Sequence, residues 1–159
     1  MNASGNGNTK ILILASRSGG YAGADSVGQN HKPYVANTYV LPVMSGAMFP
    51  EEFYLRSFEH GIDAILIMYS GTDCPYRGAP EHTAKIVNKT YSAMKKRGID
   101  TRRLRLAAIC TVCHEAFVRE IEQMNDLLRD IGPVSQELSQ SLKNRTEQAS
   151  IAGNNHEPR

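Results

Sequence analysis

Ile11-Leu12-Ile13-Leu14-Ala15 and, further along, Ala64-Ile65-Leu66-Ile67-Met68 are unbroken apolar runs of strand length. A strand that faces water on one side alternates apolar and polar residues. One that is covered on both faces does not alternate, and this is the habit of parallel sheets. Thr38 to Val43 and Leu104 to Ile109 read as two further strands, and Pro42 assigns the first of them to an edge or a strand end. Helical patterns separate these strands. A short helix is expected from Tyr21-Ala22-Gly23-Ala24-Asp25. Pro50-Glu51-Glu52 opens a second, with carboxylates at the positive end and Gly61 as its stop. A third runs from about Pro80 to Arg97, with Ala84, Val87, Tyr91 and Met94 on one face. A fourth runs from about His114 to Asp130, with Phe117, Ile121, Met124 and Leu128 as its stripe and Gly132-Pro133 as its end. Strand and helix alternate throughout. This predicts an α/β fold of three layers: a four-stranded, mostly parallel sheet with helices on both faces, flavodoxin-like in outline.

The flanks read differently. Residues 1–9 are small and polar and are expected to be disordered. Residues 10–132 form the expected single domain. Residues 133–159 read as a polar tail, mainly irregular, with only Leu138 and Leu142 to support a partner-dependent helix. The 159 residues carry 18 Lys and Arg against 16 Asp and Glu, a formal charge of +2. That balance excludes nucleic-acid binding by bulk electrostatics. The one basic cluster, Lys95, Lys96 and Arg97 with Arg102, Arg103 and Arg105, reads as a solvated helix end and loop. No apolar stretch is long enough to insert in a membrane. No signal peptide precedes the first strand, so a reducing, cytoplasmic setting is expected for the three cysteines, Cys74, Cys110 and Cys113.

In a parallel α/β sheet, ligands sit beyond the carboxyl ends of the strands. All the cysteines fall at that rim. Cys110-Thr111-Val112-Cys113-His114 matches the covalent haem pattern CxxCH, but a strand-to-helix junction without an export signal is a poor setting for it. Half-buried unliganded thiols are the default reading. A metal site on Cys74, Cys110 and Cys113, with His114 or Asp73 as fourth ligand, is more credible than haem and would suit zinc or an iron–sulfur cluster. A redox dithiol is the remaining alternative, because Cys113 precedes a helix. Around Cys74 stand Asp73, Tyr76, Arg77, Glu81 and His82, a docking surface or an ordinary polar loop; Tyr69, Tyr76 and Arg77 are the best interface anchors, since Tyr and Arg are enriched in hot spots. The loop Ser16-Arg17-Ser18-Gly19-Gly20 lies where a phosphate-binding loop would sit. It lacks the spacing of the known phosphate motifs, so Ser16, Ser18, Gly19 and Gly20 form a candidate anion or cofactor loop beside the default of a tight turn.

Several stretches together carry a family likeness. They are Tyr21-Ala22-Gly23-Ala24-Asp25, Met44-Ser45-Gly46, Pro50-Glu51-Glu52-Phe53, and Phe58-Glu59-His60-Gly61-Ile62-Asp63-Ala64-Ile65-Leu66-Ile67. Gly71-Thr72-Asp73-Cys74-Pro75-Tyr76-Arg77-Gly78, Gly98-Ile99-Asp100-Thr101-Arg102-Arg103-Leu104-Arg105-Leu106 and Phe117 complete the set. The chain resembles the delta-subunit family of methyl-viologen-reducing hydrogenase over roughly residues 11–130. The resemblance implies a small relay subunit that holds a [2Fe–2S] cluster and links iron–sulfur and flavin-bearing oxidoreductase subunits. It also implies cysteines near Ala15, Ser16 and Gly19, at Met44 and at Tyr69, and none of those positions is cysteine here. Only Cys74 matches.

The expected function is therefore a non-catalytic accessory or assembly subunit of an anaerobic electron-transfer complex, hydrogenase-linked or heterodisulfide-reductase-like, with a degenerate cluster site and no cofactor. Its expected partners are flavin- or iron–sulfur-containing oxidoreductase subunits. The alternatives are an electron relay with an iron–sulfur cluster rebuilt on Cys74, Cys110 and Cys113, and a flavodoxin-like cofactor-binding module.

Overall fold

The structure is a computed structural model that describes residues 9–110 and 114–153, with side chains described for all of these except 72 and 148–153. The strands are β1 (Ile11–Ser16), β2 (Thr38–Val43), β3 (Ala64–Tyr69) and β4 (Leu104–Ala108). The helices are α1 (Gly20–Gln29), α2 (Glu51–Glu59), α3 (Ala79–Lys96), α4 (His114–Ile131) and α5 (Val134–Gly153). The sheet order is β2-β1-β3-β4, and every pairing is parallel. The three-layer α/β architecture is thus as the sequence predicts.

The two apolar runs are the two central strands, β1 and β3. Their side chains divide between two cores by the period of the pleat. Ile11, Ile13 and Ala15 join Ala64, Leu66 and Met68 beneath α1 and α4, where Val27, Phe117, Ile121, Met124 and Leu128 are buried. Leu14, Ile65 and Ile67 face the other way, onto Tyr54, Leu55 and Phe58 of α2 and Val87 and Met94 of α3. The Tyr54 hydroxyl donates to the Gly46 carbonyl at 3.3 Å, and burial pushes its phenol pKa well up, so it remains a neutral donor.

β2 lies at the edge, one of the two placements that Pro42 allows. Ile11 N–H donates to the Asn37 carbonyl and Arg17 N–H to the Val43 carbonyl. Alternation then turns the backbone of Thr38, Val40 and Pro42 away from β1. Proline occupies an outward position, where its missing N–H costs nothing and discourages a further strand from pairing.

Three expectations are corrected. The stripe of α3 is shifted: Thr83, Val87, Thr90 and Met94 are buried, while Ala84 and Tyr91 are only partly covered. The two threonine hydroxyls donate to the Ala79 and Ile86 carbonyls at 2.8 Å, so burial leaves no unpaired donor. The segment after Pro133, expected to be mainly irregular, forms α5 and packs against the α2 and α3 core through Val134 and Leu138.

Arg103, expected in solvent, is fully buried. Its guanidinium donates to both carboxylate oxygens of Glu137, at 3.0 and 2.9 Å, and to the carbonyls of Gly132 and Asp63. The Asp63 carboxylate, also buried, accepts from Lys10 N–H and Val134 N–H at 2.8 Å each. One charge cluster therefore fastens the start of β1, the start of β4 and the start of α5. The rest of the basic cluster is largely paired: Arg97 with Glu59, Arg102 with Asp100, and Arg105 with Glu120.

Candidate functional site at the carboxyl ends of the strands

β3 and β4 deliver their loops to one place. Tyr69 pairs with Ala108, and Ile109 N–H donates to the Tyr69 carbonyl at 2.7 Å. Beyond them opens a cavity of about 750 Å³ lined by Tyr69, Ser70, Gly71, Cys74, Tyr76, Arg77, Gly78, Pro80, Glu81, Ala108, Ile109 and Cys110. The predicted anchors Tyr69, Tyr76 and Arg77 thus share one wall with two of the three cysteines. Tyr76 is 40% exposed, and its hydroxyl reaches the Met44 sulfur at 3.8 Å. That contact joins the loop after β2 to the loop after β3. Gly71 and Gly78 carry φ of +64° and +74°, a left-handed backbone that glycine adopts without strain at both ends of the Cys74 loop.

The cysteines are in unlike states. Cys74 is a free thiol, half-buried, with its sulfur 3.7 Å from the Tyr76 carbonyl. Cys110 is exposed and disulfide-bonded. Cys113 lies outside the described residues. His114 opens α4 and does not line the cavity.

The loop after β1 is a tight turn drawn into the sheet. Arg17 N–H donates to the Val43 carbonyl and Gly19 N–H to the Ser16 carbonyl, so two of its amides are already engaged. A Cβ on Gly19 would stand 2.6 Å from Ser70 N, and one on Gly20 would stand 2.6 Å from the Met68 carbonyl oxygen. The glycines are needed for close packing against β3. Ser18 and Ser70 hydroxyls are hydrogen-bonded at 3.0 Å, and Ser16 is within 3.5 Å of Ser18. Hydroxyls therefore fill this part of the rim.

The donor set does not fit the [2Fe–2S] cluster that the resemblance implies. Such a cluster takes four thiolate-type ligands. Ala15, Ser16 and Gly19 are buried and offer no sulfur, Met44 is 45% exposed, and Tyr69 brings a phenol. Among the described residues, no three of His, Cys, Asp and Glu gather closely enough to hold a metal ion.

Sequence reading missed four exposed apolar residues on β2 and in the loop that follows it. Tyr39, Leu41, Met44 and Met48 are 53, 43, 45 and 63% exposed. Tyr39 and Leu41 stand opposite Leu12 and Leu14 on the α2 side of the sheet. The strand period could have paired them, but only the packing shows that the edge is left uncovered. No helix among the described residues is long and apolar enough to cross a membrane.

Known proteins share much of this chain. One component of the ferredoxin:CoB-CoM heterodisulfide reductase of Methanosarcina mazei is 30% identical over 119 residues, 74% of this chain and 15% of that protein. The corresponding component of the ferredoxin/F(420)H(2)-dependent CoB-CoM heterodisulfide reductase of Methanosarcina acetivorans is 30% identical over 121 residues, 76% of this chain and 15% of that protein. The chain thus spans about 15% of the length of these two relatives. An iron–sulfur component of the F420-non-reducing hydrogenase vhu of Methanococcus maripaludis is 22% identical over 124 residues, 77% of this chain and 92% of the relative. The sequence model of methyl-viologen-reducing hydrogenase, delta subunit, matches residues 11–132, from the first residue of β1 to the glycine that ends α4. The chain belongs to the methyl-viologen-reducing hydrogenase delta-subunit family, a family of accessory and electron-transfer subunits.

Proposed function

We propose that this protein is a docking subunit of an oxidoreductase complex, holding flavin- or iron–sulfur-bearing subunits in register without a [2Fe–2S] cluster of its own. The observation that carries the reading is the contrast at the strand ends. The fold is intact there, of the sulfur ligands that the resemblance implies only Cys74 is present, and Met44 and Tyr76 are exposed there. Tyr39, Leu41, Met44, Met48 and Tyr76 are five of the eight large apolar residues exposed among the described residues. Large exposed apolar groups gathered in one region mark protein contacts, and Tyr and Arg, here Tyr76 and Arg77, supply the usual anchors. The names of the relatives, a hydrogenase and two heterodisulfide reductases, suggest partners of that class.

Tagged full-length protein expressed in its native host tests this. The double variant Tyr39→Glu, Leu41→Glu is expected to reduce recovery of co-purifying oxidoreductase subunits by at least about tenfold, the effect of roughly 1.4 kcal/mol at an interface. Its thermal melt should stay near that of the unaltered protein, because both side chains already face solvent. Wild-type recovery of those subunits would remove the β2 edge from the contact.

A second reading is an electron relay with an iron–sulfur or metal site rebuilt on Cys74, Cys110, Cys113 and His114. The shared cavity of Cys74 and Cys110 favours it. The disulfide at Cys110 opposes it, because a disulfide sulfur is not a thiolate ligand.

A further inference from the structure

The buried Arg103 fastens only the first turns of α5, through Glu137. Val134 is buried and Leu138 partly so, but Leu142 is 64% exposed and residues 143–147 are all exposed. A helix of such polar composition owes its stability to the packing of one face. Past Leu138 that face is left open. Leu138, Ser141, Leu142 and Arg145 recur on one side of α5 and form one wall of a cavity of about 540 Å³. Glu59 and Arg97, where α2 and α3 end, form the other wall. A Cβ on Gly98 would stand 3.3 Å from that of Ser141, so α5 rests directly on the turn that closes α3. Helices α2 and α3 start near the cysteine rim and run back from it, which puts this groove at the opposite end of the sheet. The family match ends at residue 132, before α5 begins. One wall of the groove therefore comes from the family fold and the other from the segment that follows it.

The charges round the groove decide what fits it. Arg97 is ion-paired with Glu59, the carboxylate of the lining. Arg145, on the outer lip, is exposed and has no ion pair among the described residues. Lys95 and Lys96, which precede Arg97, are likewise exposed and without an ion pair among the described residues. Two leucines are thus set beside an excess of positive charge. We propose that this groove docks an acidic amphipathic helix of another subunit of the complex. Apolar side chains of that helix lie against Leu138 and Leu142, and a carboxylate meets Arg145, the helix-in-groove mode of recognition. A basic occupant would be repelled. A second copy of this chain would bring another unpaired Arg145 rather than a carboxylate. A subunit that holds others in register needs contacts in two places, and this groove is the second. In this respect the inference rests on the docking reading and adds the chemistry of a second partner surface.

Tagged full-length protein with the photocrosslinker p-benzoylphenylalanine in place of Leu142 is expressed in its native host and irradiated under anaerobic conditions. Crosslinked peptides are then sequenced by mass spectrometry. The expected product joins position 142 to one peptide of a co-purifying oxidoreductase subunit, with Asp or Glu beside apolar residues at helical spacing. Adding Arg145→Glu should lower its yield by about tenfold or more, and Arg145→Lys by less than about threefold, because lysine keeps the attracting charge. Neither change should move the thermal melt, since Arg145 is exposed. A crosslink to a second copy of this chain, a crosslinked peptide without carboxylates, a yield indifferent to Arg145→Glu, or no crosslink would each overturn the proposal. If the subunits still co-purify and respond to Tyr39→Glu, Leu41→Glu while position 142 stays uncrosslinked, the groove fails and the docking reading stands.

Discussion

Arg103→Ala is expected to lower the free energy of unfolding by about 3–5 kcal/mol, the range for removing one partner of a buried ion pair. The guanidinium is wholly enclosed and makes hydrogen bonds to Glu137, Gly132 and Asp63. Its removal leaves a partly buried carboxylate and two carbonyls without those donors. Most of the cost is that uncompensated desolvation, because the pair itself gives back much of its attraction on leaving water. A double variant, Arg103→Met with Glu137→Met, should therefore recover a substantial part of the loss. Glu137 also accepts from Asp100 N–H at 2.9 Å, so recovery should remain incomplete. Urea denaturation followed by circular dichroism reads both variants. A loss below about 1 kcal/mol for Arg103→Ala would place this pair with ordinary surface ion pairs.

Phe117→Ala is expected to cost about 3–5 kcal/mol as well, by a different route, the loss of a buried aromatic ring and the cavity left behind. Phe117 is fully buried between α4 and α1. A Cβ on Gly23 would stand at ordinary contact, 3.6 Å, from the ring but only 3.0 Å from Ile109, so the missing side chain lets α1 lie close to Ile109. Tyr34 packs edge-on, with ring centroids 6.0 Å apart. The ring thus shares one core with Ile109, the residue that leads into Cys110. Its loss should lower the melting temperature by on the order of 10 °C. Hydrogen exchange should show faster opening in α1 and α4 than in α2 and α3, since the two cores lie on opposite faces of the sheet. Equal acceleration on both faces would show that the two layers unfold as one unit.

The sheet was legible because its two central strands carry unbroken apolar runs, residues 11–15 and 64–68, and only a strand covered on both faces needs that. Pro42 marked the edge for an equally local reason. The stripe Phe117, Ile121, Met124 and Leu128 is buried as its spacing predicts. Other features depend on partners far away in the chain. Arg103 sits in an arginine-rich stretch that looks solvated, and its carboxylate is Glu137, beyond α4. α5 likewise has a polar composition, and its place is fixed by Val134, Leu138 and Glu137 meeting residues of β4 and its approach. Thr83 and Thr90 look polar to any periodicity, yet each satisfies its own hydroxyl within the helix and so can be buried.

The site divides along the same line. The strand order placed Tyr69, Cys74, Tyr76, Arg77 and Cys110 at one rim, and they line one cavity. His114 does not join them. The role of Gly19 and Gly20 was not legible, because the need for glycine there comes from the backbone of β3 and not from the turn itself. The exposed row on β2 was missed for a related reason: strand alternation tells on which face Tyr39 and Leu41 stand, but not how far the helices reach across it.

Whether the strand ends still hold a [2Fe–2S] cluster is decided most directly by iron and acid-labile sulfide, measured on full-length protein purified anaerobically from its native host. Substoichiometric iron and sulfide are expected, with no visible absorbance that dithionite bleaches, because of the thiolates that the resemblance implies only Cys74 stands at the rim. About two irons and two sulfides per chain, the content of a [2Fe–2S] cluster, would contradict that.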